Sequence, residues 1–296
     1  MPNTLAHFGI QTLITRAVIR PADVKWIGLG CLIPDLPWIS QRLIRPLHII
    51  DQIDLRLYVI IQSSLLFCLI LAAGISLQAK KSGRLFLLLG VNSFLHLLLD
   101  PTQTKWANGT LLLAPFSWQL TNFGCYWPEQ FPALLLTLAG LIIFPVVAWQ
   151  DQQREILFIL DRKRQAAGFL LLVLYLLLPL FLLNGPRAAD NHFTATLSSR
   201  NRIGTRIEID REPYRAATTS IEALSGEQLT LKGDKLPTDD GTLSVQGTFI
   251  DNHTILISKY HVHNPMRDIY SGIGIGLLMA SWLVALLKKR IRVVRV

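Results

Sequence analysis

His96 and Asp100 stand four residues apart in Asn92-Ser-Phe-Leu-His96-Leu-Leu-Leu-Asp100, the polar end of an apolar segment that starts at Leu85. On a helix that spacing puts both on one face, with Asn92 one turn earlier. An ionisable side chain in a membrane helix costs about 2.5–3.5 kcal/mol on insertion scales, so such groups face a protein interior or an aqueous site. An imidazole and a carboxylate on one face can chelate a metal ion or exchange a proton. Two more groups of this kind, His7 and Asp35, lie near the start of the chain. Four such ligands suit Zn2+ or Mn2+, and a divalent metal held by them could activate water. Each residue also has a plainer reading. Asp100 can pair with His96 or cap the turn at 101–104, Asp35 can close an Asx-type turn between Pro34 and Pro37, and His7 can be an interfacial histidine at a helix end.

The elements that must position these groups are membrane segments. Of the 296 residues, 51% are hydrophobic, and the mean hydropathy is +0.38. A soluble domain rarely reaches that balance. The apolar residues gather in blocks at 58–77, 85–99, 131–149, 166–183 and 269–287, each of about the length that spans a bilayer. The second is short for a full crossing, as expected if its end opens onto a polar site. The predicted fold class is mainly α, a polytopic membrane helical bundle.

Lys80, Lys81 and Arg84 separate the first two blocks, and Arg154, Arg162, Lys163 and Arg164 separate the third and fourth. Lys288, Lys289, Arg290, Arg292 and Arg295 follow the last. Under strict alternation the three clusters share one side, and the positive-inside rule makes it the cytoplasm. The loop 101–130, whose only basic residue is Lys105, then faces outward and puts His96 and Asp100 at the outer leaflet. Residues 4–19 and 24–33 read as a helical hairpin dipping toward the cytoplasm, with Arg16, Arg20, Pro21, Asp23 and Lys25 about its turn. That hairpin returns His7 and Asp35 to the outer side, although each arm is shorter than a normal span. The net charge of +9 is accounted for largely by cytoplasmic flanks touching anionic lipid, and nothing suggests a nucleic-acid partner.

Composition changes after Asn184-Gly-Pro186. Alternation and β-branched content at 192–197, 206–209, 228–231, 243–249 and 254–262 predict short strands, with turns at Ser225-Gly226, Lys232-Gly233-Asp234 and Asp239-Asp240-Gly241. A small extracytoplasmic β domain, barrel or sandwich, is therefore inserted before the last membrane helix. The expected domains are a membrane core over 1–185, a β-rich domain over 190–265, and a last membrane helix with a basic cytoplasmic tail over 269–296. His261-Val-His263 places two imidazoles on one strand face beside the outer leaflet, as additional ligands or as two solvated side chains. Cys31, Cys68 and Cys125 are dispersed and form neither a disulfide framework nor a zinc motif. Ser63 and Ser64 fit helix packing better than nucleophilic roles, and no Gly-x-Ser-x-Gly elbow, P-loop or dinucleotide fingerprint occurs.

Thr4-Leu-Ala-His7-Phe-Gly9, Gly28-x-Gly-Cys-Leu-Ile-Pro34-Asp35 and Phe94-Leu-His96-Leu-Leu-Leu-Asp100, followed by Thr102 and Gly109-Thr-Leu-Leu-Leu-Ala-Pro115-Phe-Ser117, occur here in that order. In order and spacing they resemble the bacterial inner-membrane, YdjM-like metal-dependent hydrolases over residues 1–185. The resemblance implies a helical core, a divalent metal held by His7, Asp35, His96 and Asp100, and hydrolysis of an ester bond, in a lipid or another envelope substrate. One departure matters. Where that family has a His-Arg-Gly and Thr-His-Ser stretch, this chain reads Leu57-Tyr-Val-Ile-Ile-Gln62-Ser63-Ser64, with Ser63 in place of the second histidine. His48 is a nearby substitute at the wrong spacing. The loss would reduce a dinuclear centre to a mononuclear one or abolish metal binding.

The expected function is a hydrolase acting on a phosphoester or other ester near the lipid headgroups, at the outer face of a bacterial inner membrane. Its partners would be the bilayer and a lipid or envelope substrate. Two other classes remain open. A non-catalytic scaffold would bind an envelope component through the β domain, as the missing histidines favour. A transporter would relay protons through His and Asp, but the polar residues gather at one face only.

Overall fold

The computed structural model describes residues 3–295. The side chain of Asn3 accepts from Ala6 N at 3.1 Å and so caps α1 (Thr4–Val18). Asp23 caps α2 (Val24–Leu32) in the same way, completing the expected hairpin. A single 3-10 turn, Ile33–Asp35, leads into α3 (Leu36–Ile44). There follow α4 (Gln52–Gln62), α5 (Leu65–Leu77), α6 (Ser82–Leu99), α7 (Phe131–Gln150) and α8 (Arg162–Leu177). Two short helices, α9 (Asn184–Ala188) and α10 (Thr194–Ser198), precede the β domain, and α11 (Met266–Leu287) follows it.

The segments Ser82–Thr102, Phe131–Gln153, Arg162–Ala188 and Met266–Leu287 are long and apolar enough to cross a membrane, and α4 with α5 adds a fifth if that bent pair is one span. Phe169 and Phe181 on the third segment and Ile142 and Trp149 on the second are more than half exposed. An apolar surface of this kind suits lipid rather than water. The block at 58–77 is not the continuous span expected: α4 and α5 are bent by 66° at Ser63-Ser64. Ser63 Oγ donates back to Ile60 O at 3.1 Å, and Ser64 is extended, so the helical ladder stops and restarts there.

α1 lies at the centre of the bundle and packs against α2, α6, α7 and α11. Its crossing with α7 is close because both sides carry glycine: a Cβ on Gly140 would overlap the carbonyl of Leu5. At one end of the bundle the hairpin turn meets the basic clusters. Arg84 donates to Pro21 O at 2.7 Å, and buried Asp151 accepts from Arg16, Arg154 and Val24 N. There β1 (Ile156–Leu160) pairs in parallel with β7 (Ile291–Arg295). The C-terminal tail is thus a strand, which its alternating basic residues concealed. The 22 residues of α11, about 33 Å of helix, separate this end from the β domain.

The β domain is a closed barrel of β2 (Arg206–Arg215), β3 (Ser220–Glu222), β4 (Gln228–Lys232), β6 (Thr254–His263) and β5 (Gly241–Phe249), in that order around the ring. Every neighbouring pair is antiparallel except β4 with β6. Ile207, Ile209, Tyr214, Leu229, Leu231, Leu243, Val245, Phe249 and Ile255 fill it, following the period-two alternation. The strand expected at 192–197 is instead helical turns. The Asp190 carboxylate accepts from Ala195 N and from Thr196 Oγ1, each at 2.7 Å, and nucleates α10. In β2 the register against β5 slips between Ile209 and Glu212, and Arg211 has φ +55°. Such a bulge re-aims side chains, and here it turns 210–212 toward the helices.

Candidate metal centre and the cavity above it

Four segments deliver the four expected ligands to one place. α1 supplies His7 from the end of its buried first turn, the 3-10 turn supplies Asp35, and the last turn of α6 with the turn after it supplies His96 and Asp100. All four are buried. His7 Nε2 lies 3.1 Å from Asp100 Oδ1, and His96 Nε2 lies 3.4 Å from Asp35 Oδ1 and 3.6 Å from Asp100 Oδ1. The two imidazoles stack in parallel with centroids 4.0 Å apart. His96 Nε2 and Asp35 Oδ1, although close, have no hydrogen-bond partner. A buried polar atom left unsatisfied costs about 1–3 kcal/mol, and here two face each other.

These residues fit a divalent ion. With bonds of about 2.0–2.1 Å, neighbouring ligands of a tetrahedral metal stand roughly 3.3 Å apart, close to the three separations above. Two carboxylates and two neutral imidazoles also carry the charge that a divalent cation balances. The positioning groups support the same reading. The Gln11 amide meets its neighbours when its nitrogen donates to Asn92 Oδ1 (3.1 Å) and Asn92 O (3.0 Å) and its oxygen accepts from His96 N (3.3 Å). That oxygen then faces His7 Nδ1 at 3.3 Å, holds a proton there, and leaves the Nε2 lone pair toward Asp100. Asn92 in turn accepts from Thr15 Oγ1 at 3.0 Å.

Cys31 is a neighbour that its isolation in the sequence hid. Its Sγ lies 3.8 Å from His96 Nδ1, and ligand atoms of His7, Cys31 and His96 all fall within 4.8 Å of one another. The thiol meets the ring nitrogen opposite the carboxylates, and His96 and Asp100 line a cavity that Cys31 does not reach. His96 and Asp100 are thus the members of the cluster that the cavity reaches, whereas His7, Asp35 and Cys31 do not line it. Of the additional ligands considered, His48 is exposed at the end of the Arg45–Leu47 turn. His261 and His263 gather instead around Glu129, in a separate cluster.

A cavity of about 200 Å3 opens above His96 and Asp100, between the helices and the barrel. Arg42, Arg45, Arg56, Lys105, Arg211 and Arg267 line it, against Asp100, Asp210 and Glu212. Lys105 Nζ is 3.6 Å from Asp100 Oδ2. Arg45 holds Glu212 at 3.0 Å and Glu222 at 3.2 Å, and the Arg56 guanidinium lies over the Trp38 ring at 5.1 Å. Gln41 Nε2, Arg56 Nε and both amide atoms of Gln103 are buried without partners on this wall. Burial pushes the Glu212 carboxyl above its ordinary range despite Arg45 and Arg56. At Asp210 burial acts in the same direction, but Arg211, Asn108 and Ser244 outweigh it and hold the carboxyl low. Residues 210–212 had no signal in the sequence, because a bulge in a distant strand brings them here.

No protein-family profile, no curated protein and no solved structure matches this chain.

Proposed function

We propose that the chain is a membrane-embedded, metal-dependent hydrolase-like protein whose centre is mononuclear and whose substrate is an anionic ester, most simply a phosphoester at the lipid headgroup level. The observation that carries this reading is the pair of unpartnered buried atoms, His96 Nε2 and Asp35 Oδ1, set beside the His7–Asp100 pair, in a cluster whose His96 and Asp100 line a cationic cavity. His7, Asp35, His96 and Asp100 would hold the metal. Bound there, a divalent ion would lower the pKa of water and polarise the ester.

The other steps belong to the protein. Gln11 and Asn92 keep the His7 ring in the ligating tautomer. Lys105 and the arginines of the cavity would bind and orient the anionic group, and the barrel wall at 210–212 would limit water at the site. Ser63, which lines the cavity where the resemblance implies an imidazole, offers only a hydroxyl already bonded to Ile60 O. That supports one metal rather than two.

Metal analysis of detergent-purified protein beside the His96→Ala/Asp100→Ala variant tests the reading, together with chelator-sensitive hydrolysis of anionic phospholipid. The parent is expected to hold about one equivalent more than the variant. Equal metal in both overturns it. Metal without turnover would favour the scaffold reading, which the serine at position 63 keeps in play.

A further inference from the structure

Glu129, His261 and His263 form a second constellation, outside the helical core. His261 Nε2 lies 3.0 Å from Glu129 Oε2, and His263 Nδ1 lies 3.0 Å from Glu129 Oε1. The two histidines are alternate residues on one face of β6. Glu129 comes from the loop before α7, and β6 ends three residues before α11 begins. Trp127 stacks on His261 with centroids 3.8 Å apart, which fixes that ring. The His263 side chain is 1% exposed, whereas those of His261 and Glu129 are 25% and 16% exposed, so an ion has a path in from one side.

The hydrogen bonds behind His263 decide its tautomer. Ser244 Oγ accepts from Arg211 N at 3.1 Å and donates its one proton to Asp210 Oδ1 at 2.8 Å. It can therefore only accept from His263 Nε2, 2.8 Å away, so that nitrogen carries hydrogen. In the neutral ring Nδ1 is then a lone pair aimed at a carboxylate oxygen. Two acceptors at 3.0 Å need a cation between them. A second-shell partner that pins one imidazole nitrogen as donor and frees the other is the arrangement that metal-ligating histidines adopt.

We propose that Glu129, His261 and His263 bind a second divalent cation of the zinc type, separate from the core centre, which clamps the end of β6 to the outer loop. Two imidazoles and a carboxylate are a known zinc donor set, with a fourth position left to water. Arg211 Nη2, 3.4 Å from Glu129 Oε1, holds the carboxylate in place with Oε2 beside His261 and Oε1 beside His263.

The test is zinc alone, added to metal-stripped, detergent-purified full-length protein, with bound zinc counted after equilibrium dialysis. The His96→Ala/Asp100→Ala background removes the core ligands. In it, one equivalent should still bind. Adding His261→Ala, whose ring nitrogen bonds Glu129, should weaken that binding at least tenfold, and the isosteric Glu129→Gln should do the same with an unchanged circular dichroism spectrum. Ser244→Ala, which removes the positioning bond together with those to Arg211 N and Asp210, should weaken it by about 10–100-fold. No zinc in the core-deleted background, or equal zinc with and without His261→Ala, overturns the clamp and leaves a protonated His263–Glu129 pair in its place. Neither result bears on the core centre, which the parent protein reads separately.

Discussion

At the scale of the residue, the proposed core centre separates candidate ligands from the groups that aim them. Gln11 does not line the cavity above His96, yet it fixes His7 through Nδ1. Gln11→Leu keeps the shape of the side chain and should lower metal affinity by about 10–100-fold, read as the free-metal concentration for half-occupancy. Unchanged affinity would mean that the His7 tautomer does not matter. Arg56 makes the opposite case. Arg56→Met keeps an apolar side chain beside Trp38 without the guanidinium, and should leave metal content intact while raising KM for an anionic ester at least tenfold, about the 1.4 kcal/mol of one charge-assisted hydrogen bond. A loss of metal instead would show that the arginine holds the site together. His7, Asp35, His96 and Asp100 were legible because ionisable groups are costly in apolar segments and so stand out. Asn92 was legible by its place on that face but not in its role, and Gln11 and Cys31 were not legible, because uncharged polar residues carry little such penalty and their roles depend on which helices touch.

At the scale of the element, the site depends on how closely α1 approaches α7. A Cβ on Gly140 has no room beside the Leu5 backbone, two residues before His7. Gly140→Val should therefore destabilise the protein by about 1–3 kcal/mol or more and displace His7. Gly276→Val, on a part of α11 with nothing within 4 Å, should change the midpoint of thermal unfolding in detergent little. Equal shifts in the two variants would remove the packing argument. Hydrophobic blocks revealed where most of the long helices run, since length and apolarity are local properties. The bend at Ser63-Ser64, the pairing of β1 with β7 and the bulge at 210–211 escaped notice. The bend turns on a local serine bond that apolarity does not report, the other two depend on backbone partners far away in sequence, and a three-residue strand such as β3 is too short to show a period.

At the scale of the whole molecule, the barrel is part of the site. Because Asp210, Arg211 and Glu212 form one wall of the cavity, deleting the barrel would disrupt the substrate site along with any partner surface, so single substitutions must separate the two functions. His192 lies beside the seam between barrel and helices, edge-on to Trp38 at 6.2 Å. Burial, with Arg56 adding to it, pushes its pKa from 6.5 down to about 3. A depressed folded pKa means that the stability is complete above pH 6.5 and is lost as the pH falls toward 3. Unfolding in detergent should follow that direction, and His192→Phe should lose less over the same interval; parallel profiles would exclude His192 as the cause. Sidedness underlies all of this. Lys105 is buried against Asp100 and is a poor target for reagents, but Cys125 is exposed on the same loop while Cys31 and Cys68 are buried. A membrane-impermeant maleimide should therefore modify Cys125, and not Cys125→Ser protein, in cells whose outer envelope has been opened but whose inner membrane is intact. If modification needed lysis of that membrane, the loop, the cavity and the barrel would all face the cytoplasm. The anionic ester bound there would then have to come from the inner leaflet.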